Sequence, residues 1–468
     1  MNRDLEKRIR QMSEALGVPA NFDVVFRKIR IGSRDAATFC IDGFTDGAVL
    51  QRIIQFFIGL KDDEIAADAK AFVERSVPFN ETIVTGDWEK ALLLTFSGMT
   101  CLLVEGFDDA ILIDCREYPA RSVDEPAKDK VLRGSRDGFV ETIVFNSALI
   151  RRRIRSPELR FELMQAGTSS QTDVAVGYMQ GRVNKQYLEK IKQCIRDIKV
   201  DSLTMNVESL AECIYRGSWF NPLPKFKYSE RPDTAAASLL EGNIILLVDN
   251  SPSAMIIPNT IFDVIEDTDD YYFPPITGTY LRWSRIVITL LALFVSPVYL
   301  LLVRYADVVP DALLFTLPKE TQNVPMVVQF LILEFAIDGM KLASLNTPNT
   351  LSTPLSVITG LVIGEFAVSS GWFNAEAMLY MAFVALANYS QSSFELGYAL
   401  KFMRVFLLLV THWFGIWGFG AGVLAILVCF ALNKNVAGKS YLYPNEPMGV
   451  RKIMRQLFRV NIRTKEKN

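Results

Sequence analysis

Histidine is almost missing. The 468-residue sequence has one, His412, inside an apolar run, and no histidine partner for a general base is apparent. No Walker motif and no nucleophile elbow stands in for it. An enzyme is therefore not expected, and no catalytic residue or cofactor is assigned. Cysteine is also sparse, with six residues at 40, 101, 115, 194, 213 and 429 and no C-x-x-C pair. That spacing excludes a zinc site or a disulfide framework and suits reduced thiols. The first 20 residues, MNRDLEKRIRQMSEALGVPA, have no apolar core of a cleaved leader. The N-terminal region is accordingly expected on the cytoplasmic side. A large excess of one charge is missing too: 50 Lys/Arg face 52 Asp/Glu, a net of −2, so nucleic acid is not an expected partner.

Apolar residues, by contrast, make up 50% of the chain, and mean hydropathy is +0.20. Charge is placed unevenly. Residues 1–280 carry an ordinary mixture, 286–432 are mostly apolar, and 433–468 hold nine Lys/Arg against Glu446 and Glu466, a net of +7. Such a basic tail beside apolar spans sets orientation and meets anionic lipid, or is simply solvated.

Across the first 280 residues, period-2 and period-3.6 patterns alternate. Strands are expected at 22–32, 37–44, 81–87, 100–107 and 109–116, and helices at 3–16, 47–60 and 63–77. After a Pro/Gly/charge-rich boundary at 117–138 come helices at 139–154, 184–198, 207–217 and 231–242. Strands are expected at 159–167, 173–181 and 201–206, with two more around a turn in 243–259. The pattern predicts a soluble α/β region of two subdomains, 1–135 and 136–280, without an evident sequence repeat. A transmembrane helical domain (281–432) and a basic cytoplasmic tail (433–468) follow, so the fold class is α/β plus an all-α polytopic bundle.

The run IVITLLALFVSPVYLLLV (286–303) has no charge and is long enough to cross about 30 Å of hydrocarbon, with Pro297 kinking it. In 324–345, Glu334, Asp338 and Lys341 form one stripe at helical spacing. Two readings are open: an amphipathic helix lying on the membrane, or a spanning helix whose stripe faces the bundle interior or a water path. Glu365 joins that polar set, and Lys341 is placed to pair with Asp338. Gly360 and Gly364 form a G-x-x-x-G, which lets helices approach closely. The run from Val405 to Leu432 lacks Asp, Glu, Lys and Arg. At about 42 Å it is long for one span and short for two, and the glycines of GIWGFGAG (415–422) mark a break. Positive charge at Arg282/Arg285, Lys401/Arg404 and the tail predicts that all three are cytoplasmic, with four to six spans.

Several longer strings carry a resemblance: RGSRDGF (133–139), NSALIRRRI (146–154), YSERPDTAAASLLEGN (228–243), VDNSPSAMIIP (248–258) and GTYLRWSR (278–285). The membrane half adds NTPNTLSTPLSVITGLVIGEFAV (346–368), AMLYMA (377–382) and SSFELGYALKFMRV (392–405). Together they resemble the GerA family of spore germination proteins, in its A-subunit-like branch, over about residues 20–440. Ser135 stands where the family has proline. Glu365 stands where ordinary germinant-receptor A subunits have glutamine, which favours the stage V sporulation branch. The resemblance implies a spore inner-membrane protein that assembles as a homo-oligomer. It also implies a role in ion release during germination, as a conducting or accessory component beside other germination membrane proteins and lipid. The alternatives from the residues themselves are a secondary transporter and a non-conducting scaffold; one helix break and no inverted repeat weigh against the transporter. The motif residues Tyr228, Glu230, Arg231, Pro232 and Asp233 are expected to fix a helix start and an interdomain contact, Asp249 a turn, and Arg151–Arg153 a solvated face.

Overall fold

The computed structural model describes residues 3–79, 81–117, 134–215, 220–319, 323–346, 366–436, 438, 440–442 and 457–459. The chain divides into two units, 1–216 with 226–258, and 217–225 with 259–468.

The N-terminal unit holds two five-stranded antiparallel sheets. The first is built from α1 (Arg3–Leu16), β1 (Val24–Ile31), β2 (Arg34–Ile41), α2 (Gly47–Gly59), α3 (Ala69–Ser76), β3 (Thr82–Thr85), α4 (Trp88–Phe96), β4 (Thr100–Val104) and β5 (Ala110–Ile113), with strand order β1-β2-β4-β5-β3. The second is built from α5 (Ile143–Arg151), β6 (Leu159–Ala166), β7 (Thr172–Met179), α6 (Lys185–Arg196), α7 (Val207–Ile214), β8 (Lys227–Ser229), α8 (Pro232–Leu240), β9 (Ile244–Val248) and β10 (Ala254–Ile257), with order β6-β7-β9-β10-β8. Element order and strand order are the same in both, so the unit is a structural duplication. The backbone repeats its details: α8, β9 and β10 begin at 232, 244 and 254 where α4, β4 and β5 begin at 88, 100 and 110. The positive-φ residues Gly98 and Gly106 reappear as Gly242 and Asn250. At Gly98 and Gly242 the chain leaves a helix with a positive φ that only a residue without Cβ adopts cheaply.

Alternation along the strands decides what each face buries. In the first sheet Ala37, Phe39, Leu103 and Leu112 pack under α1 and α4, whereas Ala36, Leu102, Val104 and Ile111 pack under α2 and α3. Side-chain caps start the helices. Asp46 accepts from Ala48 and Val49 at α2, Asp87 from Glu89 and Lys90 at α4, and Asn184 from Tyr187 at α6. Two expectations change. Residues 201–206 form turns instead of a strand, and the edge strand beside β10 is the short β8. The helix α4 falls in a stretch left without assignment.

The C-terminal unit begins near Asn259, earlier than residue 281, because Ile261 and Val264 pack into the helical core with Leu293, Leu396 and Tyr441. Among the described residues, its α-helices of four residues or more are α9 (Ile261–Ile265), α10 (Asp269–Tyr272), α11 (Pro275–Arg304), α12 (Met326–Asn346), α13 (Ala375–Tyr389) and α14 (Phe394–Leu432). Two of them, α11 and α14, are long and apolar enough to cross a membrane. The longer is not one rod. Gly415 has φ +61° and ψ −137°, and the chain folds back there, so that a Cβ on Gly422 would lie 2.6 Å from Leu407 Cδ1. The break expected from the glycines is thus a hairpin turn, and its arms, 394–414 and 416–432, are about 31 and 25 Å long.

Contacts fix the helix directions. Arg404 and Arg304 tie the first arm of α14 to α11 in the same direction, through Ala292 and through the carbonyls of Thr411 and His412. Phe419 of the second arm returns to Phe294. Glu334 and Asp338 of α12 meet Arg404 and Lys401 in reverse order, so α12 runs against that arm. Within the unit, the Pro275 and Leu432 ends therefore lie at one end, called the near end below. The hairpin turn lies at the far end.

Candidate functional site: a charged cluster among apolar helices

On α12, Glu334 and Asp338 both face the first arm of α14, and the bundle folds over Glu334. Glu334 is 3% exposed and Arg404 is fully buried. The guanidinium donates through Nε to Glu334 Oε1, through Nη2 to Oε2 at 2.9 Å, and through Nη1 to the Ala292 carbonyl at 2.8 Å. That carbonyl is beside the one at Leu293, which Pro297 leaves without its amide partner. One turn along, Lys401 donates to Asp338 Oδ2 and, at 3.2 Å, to the Glu334 carbonyl. Asp338 therefore pairs with Lys401, a partner on another helix that the sequence did not indicate. The Lys341 ammonium lies 5.4 Å from the ring centroids of both Tyr389 and Tyr398, a cation–π arrangement on two helices. Three cations and two carboxylates form the cluster.

The geometry alters how Lys401 and Arg404 bear on orientation. They stand inside a membrane-length arm and are neutralised by α12, so they are not loop charges of the kind that set topology. Arg282 and Arg285 are paired as well, with Glu266 and Asp270. Glu365, Gly360 and Gly364 lie outside the described residues. A second polar clamp was not foreseen: Gln329 donates to Asn374 Oδ1 at 2.8 Å and accepts from the Asn374 amide at 2.9 Å, fixing α12 to the start of α13. The signal available was a glutamine and an asparagine, each in or beside an apolar run.

In the N-terminal unit the motif residues cooperate in one place. Arg231 is fully buried; it donates to Asp233 and, at 2.9 Å, to the Ser135 carbonyl. The Phe139 amide donates to the Glu230 carbonyl at 2.8 Å. Pro232 is at the first turn of α8 with Asp233 beside it, and Tyr228 donates to Glu208 at 3.1 Å. Asp249 accepts from the Ile143 amide at the start of α5. Burial works against ionisation of Asp137, but hydrogen bonds from Arg153 and Ser135 outweigh it and hold its carboxyl below the usual range. YSERPD and RGSRDGF are thus a mutual brace. Arg151 corrects the expectation of a solvated arginine face: it is buried, with Nε 2.5 Å and Nη2 2.9 Å from Asp23, and lies over the rings of Phe96 and Phe161. It joins the two duplicated halves.

The model of the Bacillus/Clostridium GerA spore germination protein family matches residues 10–468. Stage V sporulation protein AF of Bacillus subtilis (strain 168) is 32% identical over 447 residues, 95% of this chain and 90% of that protein. Spore germination protein KA of the same organism is 27% identical over 467 residues, 97% of this chain and 84% of that protein. Among solved structures, the N-terminal domain of the A subunit of the Bacillus megaterium spore germinant receptor GerK3 matches with a TM-score of 0.42 and 27% identity, covering 54% of this chain and 93% of that one. With a family match over nearly its whole length, this chain belongs to the GerA family of spore germination proteins.

Proposed function

We propose that the chain is a multi-pass protein of the spore inner membrane, with its α/β unit and basic tail on the cytoplasmic side. In germination it acts as an oligomeric ion-conducting or accessory component that promotes ion release from the spore core, beside other germination membrane proteins. Family membership supplies the process. The observation that carries the membrane part is the Glu334–Arg404 pair, enclosed by helices whose outer stripes are apolar: Val328, Ile332, Phe335 and Leu342 on α12, and Leu379, Phe383 and Leu386 on α13. Charge inside and hydrocarbon outside is the arrangement a lipid-embedded bundle needs. The near-end position of both Pro275 and Leu432 supports head and tail on one side.

The same pair bears on how ions would pass. A path along the Glu334 stripe requires a carboxylate that a passing cation can reach, and within one chain Arg404 holds both of its oxygens. This favours a locking role for Glu334, with any path on a different face between copies, or an accessory role without conduction. The test uses full-length protein reconstituted in vesicles. Glu334→Gln keeps size and hydrogen bonding but removes charge. Altered ion selectivity with intact oligomers would return the stripe to the path and overturn the locking role; weakened assembly or folding without a change in selectivity supports it. Wild-type protein that is monomeric, and that neither conducts nor changes germination when lost from spores, would overturn the proposed function.

A further inference from the structure

Between α11 and α12 runs an apolar segment that the helical core does not use. Residues 306–308 and 311–316 form two short 3-10 turns. Val308 is 80% exposed and Phe315 73%, with Leu313 and Leu314 also exposed, and none of the four belongs to either buried cluster of the bundle. Four large apolar side chains in open water would be an unusual exposed patch.

The position of the segment is fixed. Arg304, just before it, donates to the Thr411 and His412 carbonyls at the end of the first arm of α14. The Tyr305 hydroxyl accepts from the Ile416 amide across the hairpin turn, at 3.4 Å. The segment therefore starts level with that turn, which carries the exposed Trp413 and Trp417. At the other end of α11 stand Tyr280 and Trp283, also exposed. From Trp283 to Tyr305 is about 33 Å along a helix, close to the roughly 30 Å of hydrocarbon in a bilayer. Aromatic residues at both ends of such a length mark the two lipid–water interfaces.

We propose that 306–317 lies flat in the lipid interface at the far end of the bundle, as a foot that inserts Val308, Leu313, Leu314 and Phe315 among the upper acyl chains. The backbone selects this depth. Short 3-10 turns leave many peptide groups without internal partners, which hydrocarbon does not tolerate, so the segment cannot dip into the membrane as a re-entrant loop. The side chains, in turn, are too apolar for bulk water. Only the interface accepts both, at a depth of about 5–10 Å for the apolar face. Asp307 and Asp311 then stay among headgroups. They give the foot no attraction to anionic lipid, so its binding is apolar in origin and independent of headgroup charge.

The proposal rests on the membrane reading above, and one experiment separates the two. An environment-sensitive fluorescent amino acid is introduced at Phe315, at Val308 or at Leu290 of full-length protein. Leu290 is an exposed residue in the middle of α11. Each variant is reconstituted in phosphatidylcholine vesicles carrying a quencher at a shallow or a deep acyl position. The expected result is loss of most emission at 315 and 308 with the shallow quencher and little with the deep one, and the reverse at 290, unchanged when anionic lipid is added. Val308 reports independently should the Phe315 variant not assemble. Deep quenching at 290 with none at 315 and 308 would overturn the foot while leaving the membrane reading intact. Emission at 315 and 308 that is shielded from both quenchers, and falls into reach only as protein is diluted in lipid, would assign the surface to a second copy of the chain and also overturn it. No quenching at 290 would remove the membrane reading and the foot with it.

Discussion

Arg404 and Glu334 stand 70 residues apart in sequence and meet as a buried ion pair with two hydrogen bonds. In a low-dielectric interior each charge alone is strongly unfavourable, and the pair is tolerated because each satisfies the other. Its worth is therefore one of specificity: it selects one alignment of α12 on α14, and Asp338–Lys401 one turn away repeats the selection.

A double-mutant cycle should show this. Arg404→Leu or Glu334→Leu alone is expected to destabilise the solubilised protein by about 3–5 kcal/mol, because each strands a buried charge. The pair of changes together should recover most of that loss. Thermal unfolding in detergent gives the values; additive losses in the double variant would show that the two residues do not act as a pair.

Gly415 offers a sharper local test. Its positive φ suits glycine, and a Cβ there would collide with the Tyr305 hydroxyl. Gly415→Ala should lower stability by at least about 1–2 kcal/mol, the strain of a left-handed non-glycine residue. A Cβ at Gly420 meets nothing within 4 Å, so Gly420→Ala should be near neutral. Equal effects of the two changes would contradict the hairpin.

Arg151 predicts a coupling between the duplicated halves. Arg151→Ala leaves Asp23, 1% exposed, without its cation, and a loss of about 3–5 kcal/mol is expected in residues 1–258 expressed alone. Denaturant unfolding followed by far-UV circular dichroism measures it. A change below about 1 kcal/mol would place the joint between the halves elsewhere.

What could be read from the sequence follows from what is local. Period-2 and period-3.6 patterns located most strands and helices, and Pro232, Asp233 and Gly242 marked both ends of α8 as found. The duplication was missed because its identities are few, yet LLV at 102–104 and at 246–248, each followed by a positive-φ turn, is the trace of it. DSLTMN read as a strand because alternation in six residues does not distinguish a strand from successive turns. The stripe of Glu334 and Asp338 was visible; its partners were not, because pairing across helices is a tertiary fact. Lys401 and Arg404, spaced three apart in an apolar stretch, were the complementary signal, read instead as membrane-edge charge.

The last prediction concerns pH and Lys225. The residue is 6% exposed; its ammonium donates to the Lys434 carbonyl at 2.7 Å and to Asn433 Oδ1, and lies 5.7 Å from the Tyr441 ring centroid. Burial lowers its pKa from 10.5 to about 8. The folded protein thus loses this proton at lower pH than the unfolded chain does. Below about 8 both states hold the proton, and the folded state bears the full penalty of a buried charge. Between about 8 and 10.5 the unfolded chain binds more protons than the folded one, so this group's contribution to stability rises with pH. Lys225→Met removes that contribution. The difference in melting temperature, wild type minus variant, should therefore become more positive as pH is raised from about 7 towards 10, whatever the other groups do, since they titrate alike in both proteins. A difference that stays flat would mean that Lys225 keeps an ordinary pKa in the folded protein, with water reaching its ammonium. A difference that falls with pH would mean that the charged form is favoured on folding, and the helix C-terminus at Asn433 would then be its stabilising partner.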